Sequence, residues 1–213
     1  MRFAMSYSCG KDSTLALDRM ICGGNECVAL VIVMNSAQGR SYFHGADEKV
    51  LERYEDALGI PLIKCPSDGY DYHLAIEKGF LRAKEMGAEA VCFGDIDIEG
   101  NRAWAEERCV NAGLSSVFPL WHRNREENVK DIIEKGYRCV IKSINNTLLP
   151  KNLLGRYVDD DSVRIMKDAG IDICGENGEY HTLAEDGPLF RKSMGFIRGE
   201  ILTFGDFSVI DIQ

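Results

Sequence analysis

The chain has 213 residues, 45% hydrophobic and 28% charged, a balance that excludes a disordered tail, a collagen-like repeat and a coiled coil. Lys and Arg total 25 against 34 Asp and Glu, a formal net charge of −9, so the basic footprint of a nucleic-acid binder is missing from the chain as a whole. No run approaches the roughly 20 apolar residues that span a bilayer. The first apolar stretch is broken at once by Ser8, Gly10, Lys11 and Asp12, too early for a signal-peptide core, and the expected compartment is the cytoplasm.

Arg2 to Tyr7 reads as a strand ending in the turn Ser8-Cys9-Gly10, and a helix follows from about Asp12 to Cys22, stopped by Gly23-Gly24. Val28 to Met34 is nearly all apolar, as a strand covered on both faces requires. Asn35 to Gly45 reads as a polar loop. Val50, Leu51, Tyr54 and Leu58 share one helix face that ends at Gly59, and Pro61 to Cys65 is a short strand. A helix over Tyr70 to Met86, a strand over Ala90 to Phe93, a helix from about Arg102 to Ala112 and a strand over Ser116 to Phe118 complete the first half. Five such βα units with short loops predict an α/β fold: a parallel sheet with helices on both faces.

The second half reads differently. It opens on a helix from Arg125 to Lys135 and a strand from Tyr137 to Ile144. A polar loop to Arg156 and a helix from Asp161 to Ala169 come next, and the tail from Phe196 to Ile212 alternates in a β manner around Gly205-Asp206. We expect a domain boundary near Arg125, with residues 1–125 and 126–213 packed together. From His122 to Arg156 there are eight Lys/Arg and four Asp/Glu; from Tyr157 to Leu189 there are two and nine. The first stretch can face phosphates and the second can supply carboxylates, although solvated faces account for the same pattern. The eight cysteines form no C-x-x-C pair, which argues against structural zinc and for buried or half-buried thiols.

Tyr7-Ser8-Cys9-Gly10-Lys11-Asp12-Ser13 lies between the first strand and the first helix. There the free amides and dipole of a helix N-terminus favour an anion. Gly10 permits close backbone approach, Ser8 and Ser13 offer hydroxyls, and Lys11 offers a mobile charge. A Walker A loop is excluded because Met5 stands where its first glycine belongs and Asp12 follows Lys11. The structural alternative is an ordinary βα turn capped by Asp12 or Ser13.

A second block, Cys174-Gly175-Glu176-Asn177-Gly178-Glu179-Tyr180-His181-Thr182, is dense in chemistry-bearing side chains. Glu176 and Glu179, three apart, can face one site from a turn or helix start. His181 can act as acid, base or hydrogen-bond donor near neutral pH. Glu176, Glu179 and Asp186 are candidate ligands for a hard cation such as Mg²⁺. A surface loop closed by its own side chains is the plain alternative.

The first block resembles the S-G-G-x-D-S pyrophosphate loop of the ATP pyrophosphatase superfamily, departing at Cys9 where the family usually carries glycine. If that position needs a positive φ, Cys9 is strained. Phe93-Gly94-Asp95-Ile96, Pro119-Leu120-Trp121, Leu154-Gly155-Arg156, the second block and Asp186-Gly187-Pro188-Leu189-Phe190 follow in order. Over about residues 1 to 190 the chain is similar to the diphthine–ammonia ligase family. The resemblance implies a HUP/PP-loop-like nucleotide-binding domain with a smaller C-terminal α+β half. It implies ATP and Mg²⁺, the metal assigned to Asp12, and ammonia as co-substrate. Ser8, Cys9, Gly10, Lys11, Asp12, Ser13, Gly94 and Asp95 would bind the nucleotide. Lys11, Asp12, Glu176, Glu179 and His181 would carry catalysis, the last three at the acceptor.

The implied reaction activates a carboxylate as an acyl-adenylate and converts it to an amide. The implied acceptor is a protein such as elongation factor 2. Asn177 and His181 depart from the family signature, which usually has a second glycine and another acid there. These departures favour the alternative of a small-molecule acceptor such as a cobalamin precursor. Nucleic acid and membrane are not expected partners; a homodimer is compatible. A tRNA-modifying pyrophosphatase and a non-catalytic ATP sensor share the loop. The first usually adds a basic extension or a cysteine pair, and the second leaves Glu176 to His181 without a role.

Of the remaining residues, Trp104 and Trp121 read as core or domain contacts, and His73 and His122 as surface. Tyr42, Phe43 and His44 form a candidate lid over the nucleotide or an ordinary packed loop. Arg123, Arg125 and Arg156 are candidates to meet phosphate or acceptor.

Overall fold

A computed structural model describes residues 1–42 and 44–213. Phe43, part of the candidate lid, lies outside the described residues. Among the described residues no helix is long and apolar enough to cross a membrane.

The first half is a sheet of β1 (Arg2–Ser6), β2 (Glu26–Asn35), β4 (Leu62–Ser67), β5 (Ala90–Cys92) and β6 (Ser115–Val117), all parallel, with β4, β2, β1, β5 and β6 side by side. The stretch expected to be only loop contains β3 (Arg40–Ser41), antiparallel to Met34 and Asn35 at the end of β2. Two residues are too short for any periodicity to announce them. Alternate residues of the strands feed opposite faces. Phe3, Met5, Leu30 and Ile32 enter one apolar cluster; Ala4, Ala29, Val31 and Val33 enter the other. The second cluster is closed by α3 (Tyr72–Glu85) and α4 (Glu99–Ala112) through Ile76, Phe80, Ala105 and Cys109. The first is closed by α1 (Lys11–Cys22) and α2 (Glu48–Leu58), whose Leu15, Leu17, Leu51 and Tyr54 are fully buried.

The C-terminal part contributes α5 (Arg125–Glu134), β7 (Arg138–Asn145), α6 (Asp160–Asp168), β8 (Tyr180–Asp186), β9 (Arg198–Phe204) and β10 (Phe207–Ile212). Its strands form an antiparallel sheet in the order β8-β7-β10-β9. The α6 N-terminus carries a capping box, Asp159 accepting from Ser162 N and the Ser162 hydroxyl accepting from Asp159 N. The alternating tail is the β9–β10 hairpin. The strand β8, in contrast, follows a segment read only as a turn or helix start. Buried Thr182 and Glu185 interrupt any apolar alternation in it. Val140, Ile141, Leu183 and Phe196 join the cluster that holds Leu15 and Tyr54, so this sheet packs on the α1/α2 side.

The chain passes from β1 to β2 on one side and returns to β5 on the other. Ligands of open α/β sheets bind at such a switch point, outside the carboxyl ends of the strands. The loop 7–13 lies there.

Candidate nucleotide and acceptor site

The α1 N-cap is Gly10, which has no side chain to cap with, so Asp12 and Ser13 do not play the capping role of the plain alternative. Ser13 Oγ instead donates back to Gly10 O (3.0 Å) and accepts from Ser8 Oγ (3.1 Å). Gly10 N donates to Ser8 Oγ (3.3 Å), which closes the loop. Cys9 has φ +67° and is fully buried. This is the strained conformation that the glycine of the resembled loop avoids. Its carbonyl accepts from Ala184 N (2.8 Å) on β8. Gly94, just after β5, has no room for a side chain: a Cβ there would stand 2.8 Å from Ser13 N.

The two signature blocks meet. Lys11 N donates to Thr182 Oγ1 (3.0 Å). Lys11 Nζ donates to Asp12 Oδ2 (2.6 Å) and to Cys174 O, and sits 5.3 Å from the Tyr180 ring centre. Lys11 is only 4% exposed. Burial, the largest single influence, opposes its charge, but Asp12 together with Cys174 and Tyr180 outweighs that opposition and its pKa lies well above the ordinary value.

A cavity of about 660 Å³ opens above this loop, lined by Ser8, Lys11, Asp12, Ser13, Gly94, Asp95, Glu176 and His181 from the expected set. Asp95 is raised from its ordinary pKa by burial, with Asp12 adding to it. Glu176 is pushed up to about 7 by burial and by Asp12. Asp12, Cys174 and Glu176 bring one ligand atom each within 4.8 Å of one another. Mg²⁺ prefers oxygen, so the fitting donors are the two carboxylates; the Cys174 thiol is held protonated by burial.

Other expectations meet a different geometry. Glu179 is buried and accepts from Asn177 N (3.0 Å) and Asn177 Nδ2 (3.1 Å), closing its own loop instead of facing the cavity. Its neighbour Gly175 has φ +74°, and a Cβ there would stand 2.9 Å from the Tyr180 ring. Asp186 ends β8 opposite Arg138, outside the Asp12–Cys174–Glu176 group. Arg125 grips Asp97 (2.5 and 2.8 Å) and Asp172 (2.5 Å). Asp172 in turn accepts from the amides of Cys174 and Glu176, so Arg125 braces the second block. Arg123 pairs with Asp131 at 2.9 Å, and Arg156 lies 3.9 Å from Asp161. Cys22 is exposed rather than buried.

His73 is exposed and Trp104 is half-buried against the α3/α4 cluster, in keeping with their sequence readings as surface and core contact, and both also line the cavity. Trp121 is half-buried with Arg102 over its ring, and His122 is exposed. Thr182 reaches the loop without a sequence signal for that role, whereas Tyr42 and His44, from the candidate lid, line the cavity. The His44 Nδ1–H donates to Thr182 O (2.7 Å), and the ring lies 5.0 Å from that of His181. Burial and His181 push His44 down to about 3, and burial lowers His181 as well, so both rings are neutral at physiological pH.

The family model described as the diphthamide synthase N-terminal domain matches residues 1–116, and that described as the C-terminal domain matches residues 124–213. The diphthine–ammonia ligase of Bos taurus is 26% identical over 230 residues, covering 95% of this chain and 85% of that protein. The Homo sapiens protein of the same name is 27% identical over 221 residues, covering 91% and 82%. The Schizosaccharomyces pombe protein is 25% identical over 216 residues; the match covers 91% of this chain and 36% of that longer protein.

Proposed function

The chain belongs to the diphthamide synthase family, and from that premise we propose that it is an ATP-dependent amide ligase that converts an acceptor carboxylate to an amide with ammonia. The observation that carries the reading is the junction of the two blocks. Lys11 is bound through its amide to Thr182 and through its ammonium to Asp12 and Cys174, so the phosphate loop and the Glu176–His181 segment line one cavity.

ATP is a substrate here. The amides of Asp12 and Ser13, the Ser8 and Ser13 hydroxyls and Lys11 receive its phosphates at the α1 N-terminus. The acceptor carboxylate attacks the α-phosphorus, and pyrophosphate leaves. Ammonia then attacks the acyl carbon of the acyl-adenylate, AMP leaves, and one proton is released. Neutral His181 takes that proton. Asp12 and Glu176 would hold Mg²⁺, which neutralises phosphate charge when bound. The protein's share of the chemistry is alignment and charge neutralisation.

The test is AMP and pyrophosphate release from Mg-ATP and ammonium with macromolecular and small-molecule fractions of host lysate, each cleared of ATP-consuming activity. The blank is the Lys11→Ala, Asp12→Ala double variant. We expect AMP at least about 10²-fold above that blank with one fraction. The macromolecular fraction indicates a protein acceptor such as elongation factor 2; the small-molecule fraction indicates a metabolite such as a cobalamin precursor. ATP binding with no AMP from either would replace the ligase with an ATP sensor.

A further inference from the structure

A second cavity, about 700 Å³, lies between the β3 region and the β9–β10 hairpin, and Ser41, Tyr42 and His44 line both it and the nucleotide cavity. Lys142 of β7 lines it and is only 4% exposed. Its ammonium donates to Ile210 O, and among the described residues no carboxylate forms a salt bridge with it. Arg40, also lining the cavity, donates to Gly45 O (3.1 Å) and to Asp211 Oδ1 (3.1 Å). Asp211 accepts from Gln213 Nε2 as well (3.0 Å). His44 is neutral, as above. Two cations therefore face one carboxylate, and the cavity carries a formal charge of +1 inside a chain of net charge −9. An ammonium taken out of water without a counter-charge is costly, and burial, with Arg40 adding to it, lowers Lys142 to about 8. Leu202, Phe204 and Val209 supply an apolar wall; Phe204 is 64% exposed.

We propose that this cavity binds a carboxylate-bearing ligand with an apolar body, its carboxylate on Lys142 and Arg40. One monoanion balances the charge; a phosphate dianion overcompensates it. On the ligase reading, on which this assignment of the ligand rests, the bound group is the non-reacting end of the acceptor. Ser41, Tyr42 and His44 line both cavities, so a group held here sits against the same three residues that face the phosphate loop, and on this proposal remote binding aligns the carboxylate that reacts.

The probe is 4-phenylbutyrate, titrated into the full chain by NMR against its neutral amide and against inorganic phosphate. We expect the carboxylate to bind about tenfold or more tightly than either, and the Lys142 ammonium to titrate at a higher pH when it is bound. Lys142→Met should weaken binding about tenfold or more. Equal affinity for carboxylate and amide, preference for phosphate, or a Lys142 titration that does not move overturns the proposal on the wild-type chain alone. ATP affinity is measured on the same wild-type sample. ATP bound with phenylbutyrate refused removes this inference and leaves the ligase reading. Phenylbutyrate bound with ATP refused does the reverse.

Discussion

Glu176 concentrates the site's electrostatics in one carboxyl. Burial and the Asp12 carboxylate raise it to about 7, only partly offset by Lys11 and Arg125. A folded-state pKa above the unfolded one means that the folded chain holds the proton more tightly. The stability this confers is complete below the ordinary carboxyl value and is lost as pH rises through about 7. Glu176→Gln is neutral at every pH. In nucleotide-free protein its melting temperature relative to wild type should therefore rise between pH 4 and pH 8, by a few degrees for a chain of this size. Thermal melts at the two pH values check it, and a difference that stays flat would mean that Glu176 is not held protonated. The same residue shows what one sequence can reveal. Its placement in a dense polar block made Glu176 and Glu179 equal candidates. Only the tertiary path of the chain turns one into the cavity and the other onto Asn177.

At the scale of elements, the turn joining β1 to α1 departs most from backbone preference. Cys9 holds φ +67° because its carbonyl is fixed by Ala184 N while Lys11 is fixed by Thr182. For a residue with a Cβ this region costs about 1–2 kcal/mol. A glycine is free of that cost but loses the buried thiol contacts and adds unfolded-state entropy of about 0.5–1 kcal/mol. These terms nearly cancel, so Cys9→Gly should lie within about 1 kcal/mol of wild type. Cys9→Ala keeps the strain and loses the sulfur, so it should be the less stable of the two, a reversal of the usual order. Cys9→Val adds a β-branched crowd to the same conformation and should cost more than about 2 kcal/mol. Urea denaturation of the three variants gives the ranking; alanine above glycine would show that the loop does not depend on this dihedral. This turn was legible in sequence because strand, loop and helix are contiguous there. The strand β8 was not, because both its faces are covered and its polar residues are buried, which erases the period-2 signal. Nor did Lys142 stand out, because a strand that also carries Arg138, Ser143 and Asn145 does not mark which of its polar residues is buried.

Across the whole molecule, one apolar core crosses the expected boundary near Arg125. Leu15, Leu17 and Tyr54 share a cluster with Val140, Leu183 and Phe196. Polar ties run the same way: Tyr54 OH donates to Ala184 O at 2.6 Å, and Tyr137 OH to Asp18 Oδ1 at 2.7 Å. The phosphate loop has two of its anchors, Thr182 and Ala184, on β8. A chain ending at residue 124 would present the apolar face of α1 and α2 to water, and each large side chain so exposed forfeits roughly 1.5–3 kcal/mol. That exceeds the whole stability of an ordinary domain once a few such residues are counted. A fragment of residues 1–124 should therefore melt without a cooperative transition and fail to bind ATP, and adding residues 125–213 should restore both. Calorimetry and ATP titration of the fragment, alone and mixed with its complement, decide the matter. A fragment that melts cooperatively and binds ATP like the intact chain would make the N-terminal half a self-sufficient nucleotide-binding domain, with the Lys11–Thr182 junction dispensable for binding.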